Sequence, residues 1–187
     1  TAAQEGAIDY DKTVQYPFGY GLSYTEFEQK MGELEEKDGQ ISVDVEVTNT
    51  GDVAGKDVVE VYYKPPYTNG GIEKSSANLI EFAKTDLLQP GESQTVTVTF
   101  SIEDMASYDE NNAKAYVLEK GDYVISINSD SHTVLDQKTY TADADVVYKG
   151  ENKRASDDTA ATNVFEDAKG DITYLSRADH FANYEEA

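Results

Sequence analysis

Ile41, Val43, Val45 and Val47 are separated by Ser42, Asp44 and Glu46 and followed by Thr48, and this alternation constrains the fold more than any other feature of the chain. At a strand's period of two the four aliphatics share one face, which must be buried against a second layer. The run stops at Asn49-Thr50-Gly51-Asp52, a turn cluster in which Gly51 can take a positive φ without steric cost.

Further segments carry the same period. Val58 to Tyr63 places Val59, Val61 and Tyr63 on one face and Val58, Glu60 and Tyr62 on the other, and reads as a central strand. Asn78 to Leu88 is apolar-rich and ends at Gln89-Pro90-Gly91-Glu92, where Pro90 presets φ and Gly91 suits the next turn position. Thr95 to Phe100 then turns Val96, Val98 and Phe100 inward, and is expected to pair with the stretch before the turn. Ser101 to Tyr108 reads as one short helical turn with Ser101 as N-cap. In Leu118 to Ile127, the residues Tyr123, Ile125 and Ile127 share a face, and Tyr123 is placed as a tyrosine corner whose hydroxyl bonds the backbone just upstream. Thr133–Tyr140 and Asp145–Lys149 are the last strands expected. Seven to eight short strands with a turn about every ten residues predict an all-β, antiparallel sandwich of the immunoglobulin or fibronectin type III kind.

A length of 187 residues suits one such domain with extensions. We divide it into a junction over residues 1–24, the sandwich over 25–149 and a polar, alanine-rich linker and tail over 150–187. Within the tail a short helix is expected over Ser156–Ala168, closed by Gly170. The formal charge is −22, so phosphate backbones and anionic membrane surfaces are repelled, and neither nucleic acid nor membrane is an expected partner. No apolar run approaches the roughly 18–20 residues of a span. With no cysteine there is neither disulfide nor thiolate metal site, and the compartment, cytoplasmic or secreted, stays open.

Tyr16-Pro17-Phe18-Gly19-Tyr20-Gly21-Leu22-Ser23-Tyr24-Thr25 resembles the segment that leads into the fibronectin type III-like domain of family 3 glycoside hydrolases. Val47–Gly51, Ala54–Val59 and Leu88–Glu92 follow in the order of that family's pattern. The resemblance implies a non-catalytic module of a bacterial β-glucosidase-like enzyme, with the catalytic domains of the same parent chain as its partners. It implies that Phe18, Tyr20 and Tyr24 dock on those domains. Phe165 to Arg177 looks like a stretch of rearranged family members in which the module sits mid-chain and the barrel follows.

The residues themselves supply no competing chemistry. The family's nucleophile motif is not among them, Asp179 lies outside any such motif, and with 37 acidic residues a close carboxylate pair is expected by chance. There is no Gly-x-Ser-x-Gly elbow, and Gly19-Tyr20-Gly21 and Asn69-Gly70-Gly71 lack the lysine of a phosphate loop. His132 and His180, the two histidines, are not spaced as a metal site, and Asp109–Asn112 and Asp143–Asp145 lack calcium-loop spacing. No catalytic residue, cofactor or metal is therefore expected in this chain. The long Lys64–Lys74 loop stands out, and Tyr67 and Asn69 are placed at a pocket rim where an oligosaccharide would pass. Two other readings remain: a carbohydrate-binding module, from the 14 tyrosines, and a cell-surface immunoglobulin-like spacer.

Overall fold

The computed structural model describes residues 10–182, so the first nine residues of the expected junction and the last five of the expected tail lie outside it. Strands β1 (Phe27–Lys37) and β2 (Gln40–Asn49) form a hairpin whose turn residues Asp38 and Gly39 have φ of 52° and 77°. Two successive left-handed residues give the turn the twist of its flanking strands. On the other side of β2 lies β5 (Ser93–Ser101), with Ile41 opposite Phe100, Val43 opposite Val98 and Val45 opposite Val96. The four aliphatics of β2 are fully buried. A one-residue slip would turn all four to water, at a cost of roughly 6–12 kcal/mol from burial alone, comparable with the whole stability of a domain.

The second layer is formed by β3 (Val58–Lys64), β4 (Asn78–Lys84), β8 (Gly121–Asn128) and β9 (Val134–Ala142), in the order β4-β3-β8-β9. All neighbours in both sheets are antiparallel. Val59, Val61, Tyr123, Ile125 and Ile127 face the aliphatics of β2 and β5 across one core. This is the expected two-layer sandwich, with β3 central. Tyr123 forms the expected corner: it is buried, and its hydroxyl donates to the Glu119 carbonyl at 3.1 Å. Three shorter strands, β6 (Ser107–Asp109), β7 (Ala115–Leu118) and β10 (Val146–Tyr148), pair as a small side sheet.

Several local expectations are corrected. β4 pairs with β3, not with β5. The turn at Gln89–Glu92 forms as expected, with Glu92 N–H donating to Gln89 O at 2.9 Å and Gly91 at φ 78°, but it carries the chain from one sheet to the other. Gly51 does not take a positive φ. It is needed for space, because a Cβ there would stand 2.1 Å from Thr25 Oγ1 and 2.7 Å from the Glu26 nitrogen. The helical turn covers only Ile102–Met105, and Ser101 occupies its N-cap position without a side-chain bond to it. Over Ser156–Ala168 there is a single 3₁₀ turn at Glu166–Ala168 in place of a helix, since the thin apolar face has nothing to bury.

β1 escapes a periodicity reading for a physical reason. Its inward residues Phe27, Gln29 and Met31 are odd-numbered, but the pairing shifts between Met31 and Leu34, and Leu34 continues the inner face opposite Val43. The shift breaks the period of two. The six charged residues of this edge strand then dominate the sequence pattern, and they also discourage pairing with another chain. Along this side the sandwich is closed by Met31 N–H donating to Asp136 Oδ2 at 3.0 Å and by the Lys138–Glu33 ion pair. No helix of the described residues is long and apolar enough to cross a membrane.

Candidate domain-docking site

The junction segment is shaped by its glycines and held by its backbone. Tyr20 N–H donates to Pro17 O at 3.1 Å, closing a turn in which Gly19 sits at φ 84°. A side chain at Gly19 would be strained by that φ and would also place a Cβ 2.6 Å from Glu60 Oε2 and 2.8 Å from the Tyr62 hydroxyl. Next to it Ser131 N–H donates to Phe18 O at 2.8 Å, tying the segment to the β8–β9 turn. At its far end the Thr25 hydroxyl donates to Asn49 Oδ1 at 2.9 Å, and Thr50 N–H donates to Glu26 O at 2.8 Å. The backbone therefore lies on the outer face of the β3–β8 sheet.

Its apolar side chains turn away from that face. Phe18 is 67% exposed, Tyr20 46% and Tyr24 98%, and Tyr16 and Leu22 extend the exposed row. The Tyr16 and Tyr20 rings lie 5.1 Å apart, centroid to centroid. Two further exposed residues, Leu79 and Phe82 of β4, stand opposite Tyr62 and Glu60 on the same sheet face. Sequence reasoning missed them. An irregularity at Ile80 puts positions 79 and 82 on one side, which no period of two reveals.

Under the segment lies a polar group. The Tyr62 hydroxyl donates to Glu60 Oε2 at 2.9 Å, and Asp130 Oδ1 accepts from His132 N–H at 2.8 Å and Thr133 N–H at 3.0 Å. Burial raises the Glu60 pKa, the Tyr62 hydroxyl opposes this, and the Asp130 carboxylate adds to it. Burial together with Glu60 and Asp130 also pushes the Tyr62 hydroxyl well above the ordinary phenol range.

The long loop after β3 holds the chain's own tail. The Arg177 guanidinium lies 4.0 Å from the Tyr67 ring centroid and donates to Lys74 O at 3.0 Å. Glu73 accepts from Ser176 Oγ at 2.8 Å, from Arg177 N–H at 3.1 Å and from the Tyr67 hydroxyl at 3.3 Å. Lys74 is buried, donates to Pro66 O at 2.7 Å and pairs with Glu119. One face of Tyr67 is thus occupied, whereas Asn69 is exposed at the loop tip.

The carboxylates weighed for other chemistry serve the backbone. Asp109 accepts N–H bonds from Asn111, Asn112 and Ala113, which outweigh its burial and hold its pKa below the usual carboxylate value. Asp145 accepts from Lys120 N–H and Asp179 from Ala182 N–H. Among the described residues no three His, Cys, Asp or Glu side chains are placed to hold a metal.

Residues 57–131, from the approach to β3 through the β8–β9 turn, match the fibronectin type III-like domain family. The sandwich is a fibronectin type III-like domain. The chain is 35% identical over 176 residues to the β-glucosidase of Ruminococcus albus, covering 90% of this chain and 18% of that protein. Likeness to it thus reaches beyond the fibronectin-like sandwich. Among solved structures, β-glucosidase 3B of Thermotoga neapolitana in complex with α-D-glucose superposes with a TM-score of 0.65 at 35% identity, covering 72% of this chain and 18% of that one. A family 3 β-glucosidase of Bifidobacterium adolescentis gives 0.63 at 30% identity, covering 72% and 19%. The chain therefore spans about a fifth of the length of these relatives, and its fibronectin-like module is of the kind that β-glucosidases carry.

Proposed function

We propose that this module is a non-catalytic part of a β-glycosidase, packing on the catalytic domains of its parent chain and fixing their orientation. The observation that carries the reading is the division of labour in residues 16–25: the backbone is pinned to the sandwich while Phe18, Tyr20 and Tyr24 face outward. Aromatic side chains held rigidly at a surface lose little freedom on contact and dominate interface energies, at about 2 kcal/mol or more for a central one. The resemblance of Phe165 to Arg177 to rearranged family members motivates an arrangement in which the module lies mid-chain, with a barrel domain following the tail. The 187-residue chain itself is expected to show no turnover of aryl β-glucosides.

In the parent enzyme, replacing Phe18, Tyr20 and Tyr24 together by alanine is expected to separate the unfolding of the module from that of the catalytic domains and to lower kcat/KM. Unaltered calorimetric transitions and unaltered kinetics in that variant would refute the docking role. Asn69, exposed at the tip of the loop, is the residue we place at the substrate rim. Asn69→Ala is expected to raise KM for oligosaccharides and leave aryl monoglucosides unaffected, and an equal effect on both excludes a rim role.

A further inference from the structure

Beside the junction segment lies a cavity of about 380 Å³, lined in part by Gly19, Gln29, Lys56, Asp57, Glu60 and Ser129. Its polar groups are acceptors in excess. Gln29 spends its Nε2 on Asp57 Oδ2 at 2.8 Å and on Val58 O at 3.1 Å, which leaves its buried Oε1 with no donor among the described residues. Next to the lining, Asn128, only 3% exposed and directly opposite Glu60 on the same sheet face, likewise has an Oδ1 with no donor among the described residues. Among the described residues Glu60 receives only the Tyr62 hydroxyl, and a second carboxylate, Asp130, is close enough to raise its pKa. Lys56, the lysine of the lining, is exposed to solvent. Buried acceptors are normally satisfied, and a half-buried carboxylate is normally paired. Here both conditions fail together, beside a row of outward-facing aromatics.

Resting on the docking reading, we propose that this cavity is a socket for an arginine guanidinium presented by the docked catalytic domain. A guanidinium has five N–H donors in one plane and no acceptor, so it can serve the Glu60 carboxylate and neighbouring amide oxygens at once. Being more weakly hydrated than an ammonium, it enters a half-buried site at lower cost. The net charge of −22 draws cations to the surface, and the apolar lining of Leu22, Phe27 and Leu135 would exclude water around a seated pair.

The test is a titration of the 187-residue chain with methylguanidinium at constant ionic strength, followed by the side-chain amide resonances of Gln29 and Asn128 and the backbone amide of Gly19. Saturable shifts confined to these groups are expected, weakened about tenfold or more in Glu60→Gln through loss of a charge-assisted hydrogen bond. Gln29→Met reads the same site without touching the charge, and should also weaken binding. Shifts matched by sodium chloride, shifts spread over the whole acidic surface, or binding unchanged in both variants would overturn the socket. Tighter binding of methylammonium would overturn the choice of arginine. Methylguanidinium binding that survives alongside an unaffected aromatic variant of the parent spares this site and removes the docking role; the reverse pattern spares docking and removes the socket.

Discussion

Asn49 is the side chain whose loss should cost this module most for its size. It is fully buried at the end of β2 and makes four hydrogen bonds: Nδ2 donates to Val53 O at 2.8 Å and to Leu88 O at 2.9 Å, and Oδ1 accepts from the Thr25 hydroxyl at 2.9 Å and from Gly51 N–H at 3.1 Å. These bonds join the end of the junction, the β2–β3 turn and the crossing between the sheets. At about 1 kcal/mol net for each bond, with a further penalty for partners left buried, Asn49→Ala is expected to destabilise by about 3–5 kcal/mol. For a chain of this size that lowers Tm by about 10 °C. Urea unfolding of the 187-residue chain measures it directly, as a fall in midpoint at unchanged slope. Asn49→Asp separates donation from volume. The isosteric carboxylate would face two carbonyl oxygens, so its folded pKa is raised above the unfolded value of about 3.9. The folded state then binds the extra proton, and the penalty grows as pH rises through that value and shrinks towards pH 4. A loss under about 1 kcal/mol in Asn49→Ala, or an Asn49→Asp protein as stable as the parent at pH 7, would refute the reasoning.

Gly19→Ala is expected to lift the junction off Glu60 and Tyr62, because both the φ of 84° and the space forbid a side chain; faster proteolysis between residues 15 and 24, with the sandwich intact, is the readout. Arg177→Ala removes the stacking on Tyr67 and the bond to Lys74 O, so amide exchange over residues 173–181 should accelerate about tenfold while β3 and β8 stay protected. The raised Glu60 pKa makes a sign prediction. A carboxyl whose folded pKa lies above its unfolded one favours the protonated folded state, so its contribution to stability falls as pH rises from the unfolded pKa through the folded one. Glu60→Gln should therefore gain stability relative to wild type between pH 4 and pH 7, and a difference independent of pH would exclude this.

What the sequence determined by itself was everything that follows from local period and local turn chemistry. Strict alternation in β2 and β5 sets their buried faces, the Pro90-Gly91 pair sets its turn, and Tyr123 lies close enough to its partner carbonyl for the corner to be foreseen. The aromatic row at Phe18, Tyr20 and Tyr24 was legible because its residues are contiguous. What only the tertiary structure decided depends on contacts between distant segments. The partner of β4, the inner face of the irregular β1, and the alignment of Leu79 and Phe82 beside Glu60 each hinge on a register or a shift in pairing that sequence period does not encode. The same holds for Gly51, which is required by the approach of Thr25 from 26 positions away and not by its own dihedral. Arg177 and Tyr67, 110 residues apart, meet because folding brings the tail across the loop, and a reading confined to neighbours along the chain has no access to that distance.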